Sequence, residues 1–298
     1  MSPHHTIRIE EAFDEFLLSR QAMRCSPRTI RTYRSILGRF IQWLKKEGVQ
    51  SVIQLSPRHV RKFMSQTSGS QWTLNGYGRA IRTFLNFLVQ EELVDHKISI
   101  KVPPPPKQRL PFLNSSQIKQ LLEFCDPQEK AIILLIVDSG LRRQEVCNLK
   151  IGNVQIESGM IRVVQGKGNK DRIVFIGRST INALLDYLPD FNCRERESPL
   201  FKSSNGKPFN EDTMRRMFQR LSKRSGIKVT PHMLRRSFAT LSLKLGMDLV
   251  SLQMLMGHAS IETTRKYIQL LDDDLQNAHR KAGPVDRLNL NITSFASD

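Results

Sequence analysis

The chain has 298 residues, 46 lysines and arginines against 28 aspartates and glutamates, for a formal net charge of +18, and a pI near 10.1. With 39% hydrophobic and 25% charged residues it has a globular composition, which excludes a disordered or fibrous chain, and its length predicts about two domains. The longest aliphatic run, 131–137, is far shorter than the roughly 20 residues a membrane span requires.

The N-terminal part reads as all-helical. Its clearest helix begins at Ser26-Pro27, an N-cap followed by proline at the first helical position, and stops near Gly48. On a helical wheel Ile30, Tyr33, Ile36, Leu37, Phe40, Trp43 and Leu44 share one arc. Arg28, Arg31, Arg34 and Arg39 fall on the opposite side. Most such faces are simply solvated. Solubility is served by mixed signs, however, and four arginines without an interleaved acid suit contact with phosphates better. A second helix, over about 74–92, buries Ile81, Phe84, Leu85 and Leu88 and shows Arg79 and Arg82.

The segment KVPPPPKQRLP, 101–111, suits neither helix nor central strand, because proline lacks the N–H and fixes φ. It reads as a stiff, extended linker. The expected organisation is a helical domain over 1–102, a proline-rich linker over 103–111, a second domain over 112–283 and a C-terminal tail over 284–298. Residues 1–110 hold 18 basic and 8 acidic residues, net +10, which leaves +8 for the rest. Both halves are basic, so a polyanionic partner is implied, nucleic acid first.

Past the linker, Asn114 or Ser115 caps a helix with Ile118, Leu121 and Leu122 inward. A strongly apolar helix over about 129–137 ends at Ser139-Gly140, and 142–149 forms another helical stretch. The period then switches to two. Residues 160–165 and 172–176 are short β-rich runs around GKGNKD, a glycine-rich hairpin turn. From Pro208 to about 282 the chain reads as helical, with caps at Asn210, Thr230-Pro231 and Ser260, and Gly246 as a C-cap. The fold class expected is mainly α with a small antiparallel β-sheet.

Four scattered cysteines without CxxC spacing argue against a disulfide framework or a zinc site and fit a reducing cytoplasm. The first residues show no secretory signal. A cytoplasmic, nucleoid-associated protein is therefore expected.

Four segments carry the residues suited to chemistry. They are SGLRRQEV at 139–146, GKGNK at 166–170, PHMLRRSFAT at 231–240, and MGHAS at 256–260 running into TTRKY at 263–267. Each alone has a plain structural explanation: a helix-end charge, a solvated hairpin tip, a cap, an amphipathic core position. Together and in this order they resemble the phage integrase or tyrosine recombinase family, and in size and layout the Xer-type recombinases. The resemblance covers nearly the whole chain and is most specific over 139–267.

The resemblance implies a helical core DNA-binding domain followed by a mixed α+β catalytic domain. It implies an active site of Arg142, Lys167, His232, Arg235, His258 and Tyr267, with Glu145 at the acidic supporting position. One departure is Arg236, where the family often has histidine; that position is outside the catalytic set. The chemistry implied is cleavage of duplex DNA through a 3′-phosphotyrosyl link at Tyr267, with a 5′-hydroxyl released. Two arginine forks clamp the charge of the pentavalent phosphate, Lys167 protonates the leaving oxygen, and His232 orients or takes the tyrosine proton. His258 hydrogen-bonds the phosphate. No carboxylate cluster suited to Mg²⁺ accompanies these groups, so metal-free, cofactor-free chemistry is expected. The expected partners are double-stranded DNA and further copies of the chain, four protomers acting on two sites, with residues 288–295 of the tail docking on a neighbour. The alternatives are a type IB topoisomerase-like enzyme and a non-catalytic sequence-specific DNA-binding protein.

Overall fold

The computed structural model describes residues 7–95, 98–102, 104, 111–164, 171–258, 260–265 and 267. The chain divides into two compact units, Met1–Gln108 and Arg109–Asp298. Most of the expected linker, the hairpin tip with Lys167, and the 284–298 tail lie outside the described residues. Among those residues no helix is long and apolar enough to cross a membrane, and none of the four cysteines is paired.

The first unit is built from α1 (Ile9–Ala22), α2 (Pro27–Lys46), α3 (Pro57–Gln66) and α4 (Gln71–Gln90). The second helix starts where the sequence says it does. The Ser26 hydroxyl accepts the Thr29 N–H at 3.2 Å, and Pro27 fills the first position, whose N–H has no intrahelical partner. It ends before Gly48, at φ +82°. Its apolar arc packs against α1 and α4, and Phe16, Leu37, Phe40, Leu44, Ile81, Phe84 and Leu88 are sealed from solvent. Phe16 meets Tyr33, Phe84 and Phe87 edge-on, with centroids 5.2–5.5 Å apart.

Two helices were not expected. The first buries Ile9, Ala12, Phe16 and Leu17. The short α3 buries only Val60 and Phe63 and exposes Arg58 and Arg61. Arg28, Arg31, Arg34, Arg39, Arg79 and Arg82 are all exposed. Arg39 nevertheless differs from the other three arginines of α2. It sits beside Trp43 at the margin of the arc, and its guanidinium donates to the Tyr77 hydroxyl at 2.8 Å, tying α2 to α4. Arg82 donates to the Ile100 carbonyl at 3.3 Å.

The second unit surrounds α6 (Pro127–Ser139), whose Ala131, Ile132, Ile133, Leu135 and Ile136 are buried. Its other helices are α5 (Ser115–Leu122), α7 (Arg143–Asn148), α8 (Arg178–Tyr187), α9 (Glu211–Ser225), α10 (Pro231–Lys244), α11 (Leu249–Met256) and α12 (Ile261–Arg265). Asn114, rather than Ser115, caps α5. The C-cap of α10 is Leu245, and Gly246 follows it at φ +97°. Neither α8, whose N-cap Gly177 donates its N–H to Asp138 at 2.6 Å, nor a short first strand was expected.

Strands β1 (Val154–Gln155), β2 (Met160–Val163) and β3 (Arg172–Phe175) form an antiparallel sheet in sequence order. The hairpin register pairs Ile161 with Val174 and Val163 with Arg172. Side chains alternate across a strand, so Ile161, Val163, Val174 and Arg172 share the inner face. An arginine thus stands where a hydrophobic residue would ordinarily pack.

Candidate active site

The site is assembled around two tight helix ends. Helix α6 stops at Gly140, which adopts φ +64°, and a Cβ there would lie 2.3 Å from the Phe238 ring of α10. Only glycine permits both the left-handed turn and this approach. The close passage lets Gly140 offer its carbonyl to the Arg235 guanidinium of α10. Two residues on, Arg142 is the N-cap of α7, and its N–H donates to Glu145 Oε2 at 2.7 Å, one half of a capping box.

The second helix end is that of α11. Three consecutive carbonyls at its C-terminus each accept from a different arginine. Leu255 receives Arg172 Nε at 2.8 Å, Met256 receives Arg235 Nη2 at 2.6 Å, and Gly257 receives Arg142 Nη2 at 2.6 Å. Unpaired carbonyls at a helix C-terminus carry partial negative charge and suit cations. Gly257, at φ +60°, closes the helix, and a Cβ on it would come within 3.0 Å of the Arg172 stem.

Glu145 binds the arginines to one another. Oε1 accepts from Arg142 Nη1 at 2.8 Å and from Arg172 Nη1 at 2.7 Å, while Oε2 accepts from Arg172 Nη2 at 2.7 Å. The Arg172 contact is a fork, the strong bidentate geometry. Its side chain is 11% exposed, and that of Glu145 7%. Burial opposes the Glu145 charge, yet the fork from Arg172 and the bonds from Arg142 overcome it and hold the carboxyl at about 2. Burial, then the neighbouring Arg142, lowers Arg235 to about 10, so it remains charged at neutral pH.

His258 follows Gly257 and lies between the cluster and Tyr267. Its Nε2 pairs with Arg235 Nη2 at 3.1 Å, and its Nδ1 with the Thr264 hydroxyl at 2.9 Å. Since a guanidinium only donates, this network assigns the ring proton to Nδ1. The Tyr267 ring stacks near His258, with centroids 6.4 Å apart and planes 11° from parallel. Tyr267 packs with Phe238, Ala239, Leu252 and Met256. Burial raises its pKa above the ordinary 10.0, and Arg235, Arg236 and Arg142 offset part of that rise. His232 lies at the exposed start of α10. Partial burial of its ring, then the charges of Arg236 and Arg235, lower its pKa below 6.5, so it is neutral at pH 7.

The structure therefore brings Arg142, Arg235, His258, Tyr267 and Glu145 together, with His232 on the same helix as Arg235. Lys167 lies outside the described residues. Among the described residues no group of three or more His, Cys, Asp or Glu side chains is placed to hold a metal ion. Arg172 was not among the residues singled out from the sequence. Its signal was the strand period, which sets it on the same face as Val174 and Ile176.

Two family models match this chain. The phage integrase family matches residues 111–273, and the phage integrase N-terminal SAM-like domain matches residues 11–92. Among curated proteins, tyrosine recombinase XerA of Thermococcus kodakarensis is 31% identical over 93% of this chain and 97% of its own. Tyrosine recombinase XerC of Pelobacter propionicus is 33% identical over 88% of this chain and 91% of its own. Among solved structures, that of a XerA recombinase is 29% identical, covers 92% of this chain and 99% of its own, and superposes with a TM-score of 0.53. Both units match, and the longer match takes in the whole arginine cluster and Tyr267; the chain belongs to the phage integrase family.

Proposed function

We propose that the chain is a site-specific DNA recombinase that cuts and rejoins duplex DNA through a covalent link at Tyr267. The observation that carries this is the gathering of Arg142, Arg235 and His258 at the end of α11, with the Tyr267 ring beside them. A guanidinium has five N–H donors. The bonds described take two on Arg142 and three on Arg235, which leaves donors for the nonbridging oxygens of a phosphate. The two full-length relatives named tyrosine recombinases support the same reading.

In the step proposed, the Tyr267 oxygen attacks the phosphorus and the bond to the 5′-oxygen breaks. The phenol proton passes to His232, which is neutral at pH 7, while Lys167 gives a proton to the departing 5′-oxygen. The phenol is neutral at rest because burial raises its pKa, so it needs that base. Arg142 and Arg235 carry the charge of the pentavalent phosphate, and a guanidinium in that role contributes about 10³-fold or more in rate. Since fixed guanidiniums neutralise the phosphate, cleavage is expected to continue in excess EDTA. A 5′-hydroxyl from a second duplex reverses the step.

The exposed arginines of α2 and α4, with Arg58 and Arg61 of α3, suit the phosphate backbone of double-stranded DNA. Exchange between two duplexes calls for four active sites, hence a tetramer on two sites inside the cell.

The test is covalent trapping on genomic DNA followed by sequencing of the captured ends. Wild-type protein is expected to yield an adduct at a defined site, and Tyr267→Phe to bind the same DNA without one. An adduct in Tyr267→Phe, mapped to Tyr33, Tyr77 or Tyr187, overturns the assignment. Binding without any adduct returns the chain to a non-catalytic DNA-binding protein, and relaxation without recombinant products to a topoisomerase-like enzyme.

A further inference from the structure

Arg172 is an arginine on the inner face of a sheet with its side chain only 11% exposed, a placement that is costly unless the charge is paired. Here the charge is paired and three of the five N–H donors have described partners. The fork engages both oxygens of Glu145 at 2.7 Å, and Nε reaches the Leu255 carbonyl at 2.8 Å. One side chain thus spans three elements: the strand that leads out of the hairpin, the start of α7, and the end of α11. Arg142 depends on the other two of these. It is held through Nη1 by Glu145 and through Nη2 by the Gly257 carbonyl, two residues beyond Leu255. Arg235 shares the second anchor through Met256.

We propose that Arg172 is a positioning residue for phosphate cleavage: it fixes Glu145 and the last turn of α11, the two supports on which Arg142 and Arg235 are aligned. Without it, Glu145 faces Arg142 alone at hydrogen-bond distance, with Arg235 of α10 as the other nearby charge. A carboxyl so buried then protonates more readily, and a protonated Glu145 accepts one bond fewer from Arg142. The position of β3 matters as well. Arg172 follows the proposed acid Lys167 by five residues in the sequence, and its side chain ties β3 to the arginines. The proposal rests on the recombinase reading for its rate measurements only.

The experiment uses full-length wild type, R172Q, R172K, E145Q and R172Q/E145Q on a nicked duplex bearing the site recovered by trapping. Adduct formation is followed in single turnover at saturating DNA from pH 5 to 9, beside the binding constant. R172Q is expected to bind within about threefold of wild type and to cleave about 10²-fold more slowly, the loss that a small misplacement of reacting groups produces. Its acid-side loss should be steeper than that of wild type, protonation of Glu145 adding to that of His232. R172K keeps the charge but not the fork, so it should retain the wild-type pH profile at a rate between the two. The double variant should lose less than the product of the two single losses, because Arg172 acts in part through that carboxylate. A merely structural ion pair would instead lower stability with the saturated rate unchanged.

The proposal is overturned if R172Q cleaves within threefold of wild type, or if the double variant loses both factors in full. If R172Q does not fold, R172K decides: a rate equal to wild type refutes the role of the fork. Wild type that forms no adduct refutes the recombinase reading instead. The positioning claim is then judged by ¹³C titration of the Glu145 carboxyl, which should stay near 2 in wild type and rise in R172Q.

Discussion

Replacing Glu145 with glutamine tests the centre of the arginine cluster directly. The carboxylate accepts four hydrogen bonds of 2.7–2.8 Å from Arg142 and Arg172 and is nearly buried. Its carboxyl lies at about 2 in the folded chain against an ordinary 4.5. That gap, at 1.36 kcal/mol per pKa unit, corresponds to about 3 kcal/mol of stability. The folded value lies below the unfolded one, so the contribution is complete above 4.5 and fades as pH falls toward 2. Glutamine keeps the shape but turns one acceptor into a donor that faces guanidinium N–H groups. E145Q is therefore expected to lose about 3 kcal/mol at pH 7, with the difference from wild type narrowing to about 1.5 kcal/mol near pH 3. Urea unfolding at a series of pH values measures this. Trp43 and Trp72 both belong to the first unit, so tryptophan fluorescence follows that unit and serves as a control. Far-UV circular dichroism reports the helices of both units, and its second-unit component should carry the shift. A difference that stays constant from pH 7 to 3, or a loss below about 1 kcal/mol at pH 7, refutes the reasoning.

Other outcomes follow from the same geometry and sequence. Lys167→Ala should slow cleavage by about 10²-fold, and a substrate with sulfur in place of the bridging 5′-oxygen should restore the rate, because a thiolate leaves without a proton. Equal impairment on both substrates would move the role to Lys170. Cleavage by wild type should fall on the acid side with a midpoint below 6.5, since His232 accepts a proton only when neutral and its pKa is lowered; a midpoint at or above 6.5 contradicts its use as the base. Replacing Arg28, Arg31 and Arg34 with alanine should flatten the salt dependence of DNA binding, each phosphate contact contributing a log–log slope of about −0.9. An unchanged slope returns that face to a solvated surface. Gly140→Ala should destabilise the second unit, measured by thermal unfolding, because its Cβ meets the Phe238 ring at 2.3 Å and the residue holds φ +64°.

Local rules read from the sequence alone determined the helix starts at Ser26-Pro27, Asn210 and Thr230-Pro231, where a side chain meets its own helix's N–H groups. They also determined the breaks at Gly48 and Gly140, and the apolar arc of α2, since the 3.6-residue period of a helix is written in neighbouring residues. The order of the four chemical segments pointed to the family before any contact was known. What the sequence could not decide is where carbonyls and charges from distant segments meet. Arg39 lies on the charged side of its wheel, but only the packing of α4 put Tyr77 within its reach. The short α3 buries just two apolar side chains, too few for a period to stand out. The resemblance named Arg235, but only the fold shows that it is 4% exposed, with the carbonyls of Gly140 and Met256, 95 and 21 residues away, turned toward it. The strand period already set Arg172 inward, yet its partner Glu145 lies 27 residues back on another element. Periodicity assigns a residue to a face; the identity of what it touches there is a property of the closed chain, and in this protein that decides how the arginines are held.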